Sequence, residues 1–222
     1  MAGPYTFGSD TREPLYLGST KGDGATLGGI QGLVADLHAR IDVLERGGWS
    51  PSSQGYLAWA YAPKDMLGSS AASSGVPQIS RIAVPLYSAA TFSNIDYFVV
   101  TPGSGLTASQ NYISVYSSAG VKLGQVGQDS NFVGTGKQTA TFGTPINLAD
   151  TGGYLFVSML SNGTTPPAIA RTSSAISGTA YNANLAATAS RGATGPGSAT
   201  APPSSIGTLI QAANQLWFGL RT

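Results

Sequence analysis

The chain has 222 residues, enough for one sizeable domain with an appendage and too few for two full domains. Charged residues make up only 9% of it against a hydrophobic share of 41%. Soluble chains carry about a quarter charged residues, so here Ser, Thr, Asn, Gln and Gly must cover the surface. A formal charge of +1 with no run of Lys or Arg removes the electrostatic pull toward nucleic acid or anionic lipid, and the absence of cysteine excludes disulfides, thiolate metal sites and cysteine nucleophiles.

The first residues, Met-Ala-Gly-Pro-Tyr-Thr-Phe, have neither the basic start nor the apolar run of a secretory signal, and no long apolar stretch follows. Export by that route and membrane insertion are not expected. Residues 1–26 hold five glycines and two prolines without apolar periodicity, which reads as an extended arm. Its scattered apolar residues, Tyr5, Phe7, Leu15, Tyr16 and Leu17, are candidate anchors on a neighbouring protein, with an unattached tail as the alternative.

From Leu27 the pattern becomes a heptad seam over residues 27–46, with Leu27, Val34 and Ile41 at a and Ile30, Leu37 and Leu44 at d. Gly47-Gly48 supplies the stop. Roughly 18 helical residues give a rod about 27 Å long. Arg40 at g and Glu45 at the following e are placed for an interchain ion pair between parallel helices, and residues 40–45 resemble the R-h-x-x-h-E trimerisation signature. Leu33 at g widens the apolar face, favouring a trimer. A dimer, or a helix packed on its own domain, remains an alternative. So short a helix is marginal alone, so the domain after it is expected to trimerise too. Residues 47–55 read as a Gly/Ser/Pro linker.

Residues 56–222 read as all-β, with candidate strands at 56–62, 79–86, 94–101, 111–117, 122–126, 138–142, 154–160, 168–172 and 215–220. Ile82, Val84 and Leu86 alternate with Arg81, Ala83 and Pro85, and Ile113 and Val115 alternate with Tyr112, Ser114 and Tyr116. Pro85 suggests an edge strand. Hairpin turns are expected at 118–120 and 150–153. These short strands without a fixed repeat fit an antiparallel two-sheet sandwich of jelly-roll type, with a closed barrel as the other possibility. Residues 173–205, rich in Ala, Ser, Thr and Gly, read as a long excursion before a last core strand.

Catalytic groups are scarce. The one histidine, His38, falls at a coil e position, and after Glu45 the only carboxylates are Asp65, Asp96, Asp129 and Asp150. No nucleophile elbow, phosphate-binding loop or metal-ligand spacing occurs. The reading is a non-enzymatic protein with no metal and no cofactor. Asn162-Gly163-Thr164 matches a glycosylation sequon but reads more simply as a turn. Tyr112 and Tyr116, with Tyr56, Trp59, Tyr61 and Tyr97, are candidates for stacking against a host-surface glycan. Packing across the sandwich or a subunit interface is the competing explanation.

Four stretches carry a resemblance: Asp36-Leu-His-Ala-Arg-Ile-Asp-Val-Leu-Glu-Arg-Gly-Gly, then Tyr56-Leu-Ala-Trp-Ala-Tyr, Val115-Tyr-Ser-Ser-Ala-Gly-Val-Lys-Leu-Gly, and Pro145-Ile-Asn-Leu-Ala-Asp-Thr-Gly-Gly-Tyr-Leu-Phe-Val. Over about residues 27–170 the chain resembles minor tail proteins and related virion surface proteins of actinobacteriophages. The resemblance implies a homotrimer on the virion surface, assembled in the host cytoplasm. Its implied partners are other virion proteins, of the tail or the major capsid lattice, reached through the arm. These motifs are architectural and do not separate a tail-associated fibre from a head decoration protein. A cellular β-sandwich module unrelated to phage is the third possibility.

Overall fold

The structure is a computed structural model and describes residues 50–84, 90–151, 153–172, 182–183, 186 and 190–222. The expected arm and coil, with Tyr5, Phe7, Leu15, Tyr16, Leu17 and the seam from Leu27 to Glu45, lie outside the described residues, as does Pro85.

The described residues are mainly β, in antiparallel ladders. The strands in chain order are β1 (Ala58–Trp59), β2 (Gly68–Ala71), β3 (Gln78–Ala83), β4 (Thr91–Thr101), β5 (Ser104–Leu106), β6 (Tyr112–Ser117), β7 (Lys122–Gly127), β8 (Gly136–Asn147), β9 (Tyr154–Leu160), β10 (Gly163–Thr165), β11 (Ala168–Arg171), β12 (Gly192–Thr194), β13 (Ile210–Gln211) and β14 (Gly219–Arg221). In sheet one the order is β2-β11-β4-β8. The edge of β4 opposite β8 is shared: β11 pairs with its C-terminal end, β14 pairs around Ile95, and β1 flanks β14. Sheet two runs β13-β12-β3-β9-β6-β7, and β5 and β10 form a separate ribbon.

The chain repeatedly changes sheets. It passes from β3 in sheet two to β4 in sheet one, back to the β6-β7 hairpin, then to β8 in sheet one, β9 in sheet two and β11 in sheet one. Among the described residues no ladder joins the two six-stranded sheets, so they form a sandwich rather than a closed barrel.

Alternation explains how the layers meet. Ile82 and Val84, Ile113 and Val115, and Leu155, Val157 and Met159 project from sheet two onto Ile95, Tyr97 and Val99 of β4, Ala140 and Phe142 of β8, Ile169 of β11 and Phe218 and Leu220 near the C-terminus. All these side chains are buried. Tyr97 meets Phe132 edge-on, with ring centroids 5.9 Å apart, and donates its hydroxyl to Gln128 Oε1 at 2.6 Å. The polar end of this core aromatic is thereby satisfied.

Sheet two also has a covered outer face. Ile79, Tyr116 and Phe156 pack there with Ala193 and Leu209, forming a second, smaller apolar cluster. The covering segment is bonded in place: Lys122 N donates to Ser204 O and Ile206 N to Gly120 O, at 2.9 and 2.8 Å. This cover explains why β9 is buried along nearly its whole length instead of alternating buried with exposed.

Two local expectations change, at the turn near Asp150 and at residues 56–62. Strand β3 pairs with β9 along its length and with β12 at Gln78–Ser80, while the edge expected at Pro85 lies outside the described residues. The turn near Asp150 is no hairpin, because a 3-10 turn at Leu148–Thr151 carries the chain from β8 in one sheet to β9 in the other. Residues 56–62 contribute only the two-residue β1. The hairpin at 118–120 is present, with Gly120 at φ 79° joining β6 to β7.

Candidate functional site

Two polar constellations stand out, one on each sheet. On sheet one, Asp96 comes from β4 on the face away from the core, yet it is fully buried. Thr139 of β8 donates to Oδ1 at 2.7 Å, Tyr56 donates to Oδ2 at 3.1 Å, and Lys137 and Arg221 stand 3.3 Å from the carboxylate. The ladder dictates this meeting, since Thr139 and Gly219 are the cross-strand partners of Asp96. Burial pushes the Asp96 pKa up, but the Thr139 bond and the Arg221 and Lys137 charges outweigh it and hold the carboxyl below its ordinary value. The Tyr56 hydroxyl is pushed up to about 12, chiefly by burial and then by the Asp96 charge. Tyr56 also packs edge-on against Trp217, with centroids 5.8 Å apart, and near Trp59. The Asp96 carboxylate is engaged by partners from within the domain, although Arg221 Nε, 3.3 Å away, makes no hydrogen bond, and the chemistry is that of a structural anchor.

The other constellation is open. Arg81 of β3, Tyr154 of β9, Arg191 beside β12, Asp65 of the 3-10 turn Pro63–Asp65, Thr172 and Gln215 line a cavity of about 490 Å³. This is within the range of small-ligand sites, about 300–1,000 Å³. Backbone bonding brings the two arginines together, because Arg81 N donates to Arg191 O at 2.9 Å. The Arg81 guanidinium lies over the Tyr154 ring, 3.8 Å from its centroid, in a cation–π contact. Tyr154 is itself braced edge-on by Phe156, with centroids 5.5 Å apart. Arg191 is exposed and has no ion-pair partner among the described residues. Asp65, the carboxylate in the lining, is bonded to Lys64 at 2.8 Å. The lining of the cavity therefore includes two arginines and one carboxylate.

The aromatic candidates separate. Tyr116 is buried under the 193–209 segment, with its hydroxyl on Pro203 O at 3.2 Å, so the expectation of an exposed ring is corrected. Tyr97 points into the core. Tyr112 is half-buried and donates to Ser109 O at 2.7 Å. Nothing brings Tyr112 and Tyr116 to a shared open face.

The remaining polar candidates serve loops. Asp129 accepts from Ser109 N at 2.7 Å and from Asn111 Nδ2 at 2.8 Å. Asn111 is buried and accepts from Ser161 and from Asn162 N, tying three loops together. Asn162 Nδ2 donates to Gln110 O and Ala199 O, so the side-chain amide of the sequon is engaged inside the domain. No group of three or more metal-ligating side chains gathers among the described residues, and none of their helices is long and apolar enough to cross a membrane.

The chain matches no protein-family model and no curated protein.

Proposed function

We propose that the chain is a non-enzymatic structural protein of a bacteriophage particle, a homotrimeric tail-associated fibre or spike that displays its sandwich for contact with the host surface. The observation that carries this reading is the strand order, β2-β11-β4-β8 facing β3-β9-β6-β7. That order supports a jelly roll built from two Greek keys, an architecture used by viral capsid and lectin domains. The heptad seam at 27–46 supports trimerisation, since one sandwich held in three copies gains avidity from weak individual contacts.

The anchoring pattern of Tyr5, Phe7, Leu15, Tyr16 and Leu17 favours a second reading, a head decoration protein whose arm grips the major capsid lattice. Light scattering of the full chain tests the assembly, with a trimer expected; a monomer at micromolar concentration overturns it. Gold-labelled antibody against residues 56–222 on purified particles separates the locations. Label on the tail supports the fibre, and label spread over the head supports decoration.

A further inference from the structure

We propose that Asn162 is a deamidation site that the fold holds shut, and that its conversion to aspartate or isoaspartate unfastens the segment at Ala199, part of the cover on the outer face of sheet two.

The chemistry begins with the sequence. Of the asparagines in the chain, Asn162 alone is followed by glycine, the residue whose missing side chain leaves the next backbone nitrogen least shielded. Packing fixes that glycine in place. A Cβ on Gly163 would stand 2.7 Å from Gly105 O and from Leu106 Cα in β5. In the reaction Gly163 N gives its proton to solvent and bonds to Asn162 Cγ, while the Cγ–Nδ2 bond breaks and Nδ2 leaves as ammonia. Water then opens the resulting succinimide at either carbonyl, giving aspartate or isoaspartate. Nothing is oxidised or reduced, and water is the sole co-reactant.

Three hydrogen bonds restrain the two reacting groups. Gly163 N donates to Ser74 Oγ at 3.1 Å, and Asn162 Nδ2 donates to Gln110 O at 3.2 Å and to Ala199 O at 2.9 Å. The same arrangement rejects the product. A carboxylate accepts hydrogen bonds and donates none, so after conversion Gln110 O and Ala199 O would face a negatively charged acceptor in place of their shared donor. Ala199 would keep only the bond from its own N–H to Gly75 O, at 2.9 Å. The far end of the cover is fastened separately, through Ser204 O and Ile206 N, so the loosening is local.

The test incubates the full chain in mildly alkaline buffer, folded and in guanidinium chloride, and follows the peptide holding Asn162-Gly163 by mass spectrometry, with isoaspartate separated by chromatography. Conversion in the folded chain is expected to be slower by roughly tenfold or more, since the restraining bonds must open first. Ser74→Ala, at an exposed position, releases Gly163 N and should speed conversion of the folded chain by roughly threefold or more. Asn162→Asp should raise the hydrogen-exchange rate of the Ala199 amide by roughly tenfold or more while leaving that of Ile113 in the core ladder unchanged. If that variant does not fold, the deamidated fraction of the wild-type chain, purified by ion exchange, supplies the same reading. Equal rates with and without denaturant, no conversion in denaturant, or indifference to Ser74→Ala overturns the restrained site. Wild-type protection of the Ala199 amide after conversion overturns the release.

Discussion

The ring of Tyr56 occupies the space where a side chain at position 219 would begin. A Cβ on Gly219 would stand 2.6 Å from Cε1 and 2.7 Å from Cδ1 of that ring. Gly219→Ala must therefore push Tyr56 off its seat, with loss of its bond to Asp96 and its packing on Trp217. A destabilisation of about 1–3 kcal/mol is expected in urea titrations, the usual cost of overpacking. Tyr56→Ala combined with Gly219→Ala should cost far less than the sum of the two single changes, because the clash is removed with the ring. Additive losses would show that the two positions act independently.

Asp96 and Tyr56 give the domain two pH limbs of opposite sign. The Asp96 pKa in the folded state lies below its unfolded value of about 3.9, so the stability it contributes is complete above that pH and is lost as pH falls through the folded value. Asp96→Asn should flatten the acid limb of a pH series of thermal melts. Tyr56 is raised to about 12 from 10.0. Its contribution is complete below pH 10 and is lost as pH rises toward 12, so Tyr56→Phe should lessen the alkaline limb, which Tyr97 and Tyr116, also pushed up by burial, share. A wild-type acid limb retained in Asp96→Asn would place the responsible carboxylate elsewhere.

Tyr116 holds the outer cover of sheet two. Tyr116→Phe removes only the bond to Pro203 O and is expected to cost about 1 kcal/mol. Tyr116→Ala empties the second apolar cluster and is expected to cost about 3–5 kcal/mol. Hydrogen exchange gives a sharper readout than overall stability. The amide of Ile206, bonded to Gly120 O, should lose protection in Tyr116→Ala well before the amide of Ile113 in the core ladder. Simultaneous loss at both sites would mean that cover and sandwich unfold as one unit.

The proposed coil makes a prediction outside the sandwich. Arg40→Ala or Glu45→Ala should weaken trimerisation more at low salt than at high salt, because an interchain ion pair at the helix surface is screened. Sedimentation at two ionic strengths checks this. A loss independent of salt would point to packing by the Arg40 side-chain stem in place of its charge.

The sequence is most legible where one strand carries both a strong period and branched residues. Strand β9 coincides with the expected 154–160, and β6 starts one residue inside 111–117. Strands β2, β5, β10 and β12 escape notice because their residues are Gly, Ser, Thr and Ala with a single Leu, which have little side chain to show a period. Alternation puts Tyr116 opposite Val115, but it cannot reveal that residues near Leu209 return to cover that face. The cavity was hidden for the same reason. Arg81 and Arg191 are separated by the whole β4-to-β11 circuit, and only the pairing of β3 with β12 makes them neighbours.

The pairing of Ala58 with Leu220 sets a clock for the nascent chain. Ribosomes deliver about 5–20 residues per second, so β1 waits on the order of 10 s or longer for β14. Through that wait the edge of β4 around Ile95 lacks the partner it has when folded, and a second chain emerging nearby can supply its own residues 219–221 instead. Correct closure is thus a competition between chains as well as an event within one, and crowded synthesis of several copies would be the condition under which exchange of the last strand wins.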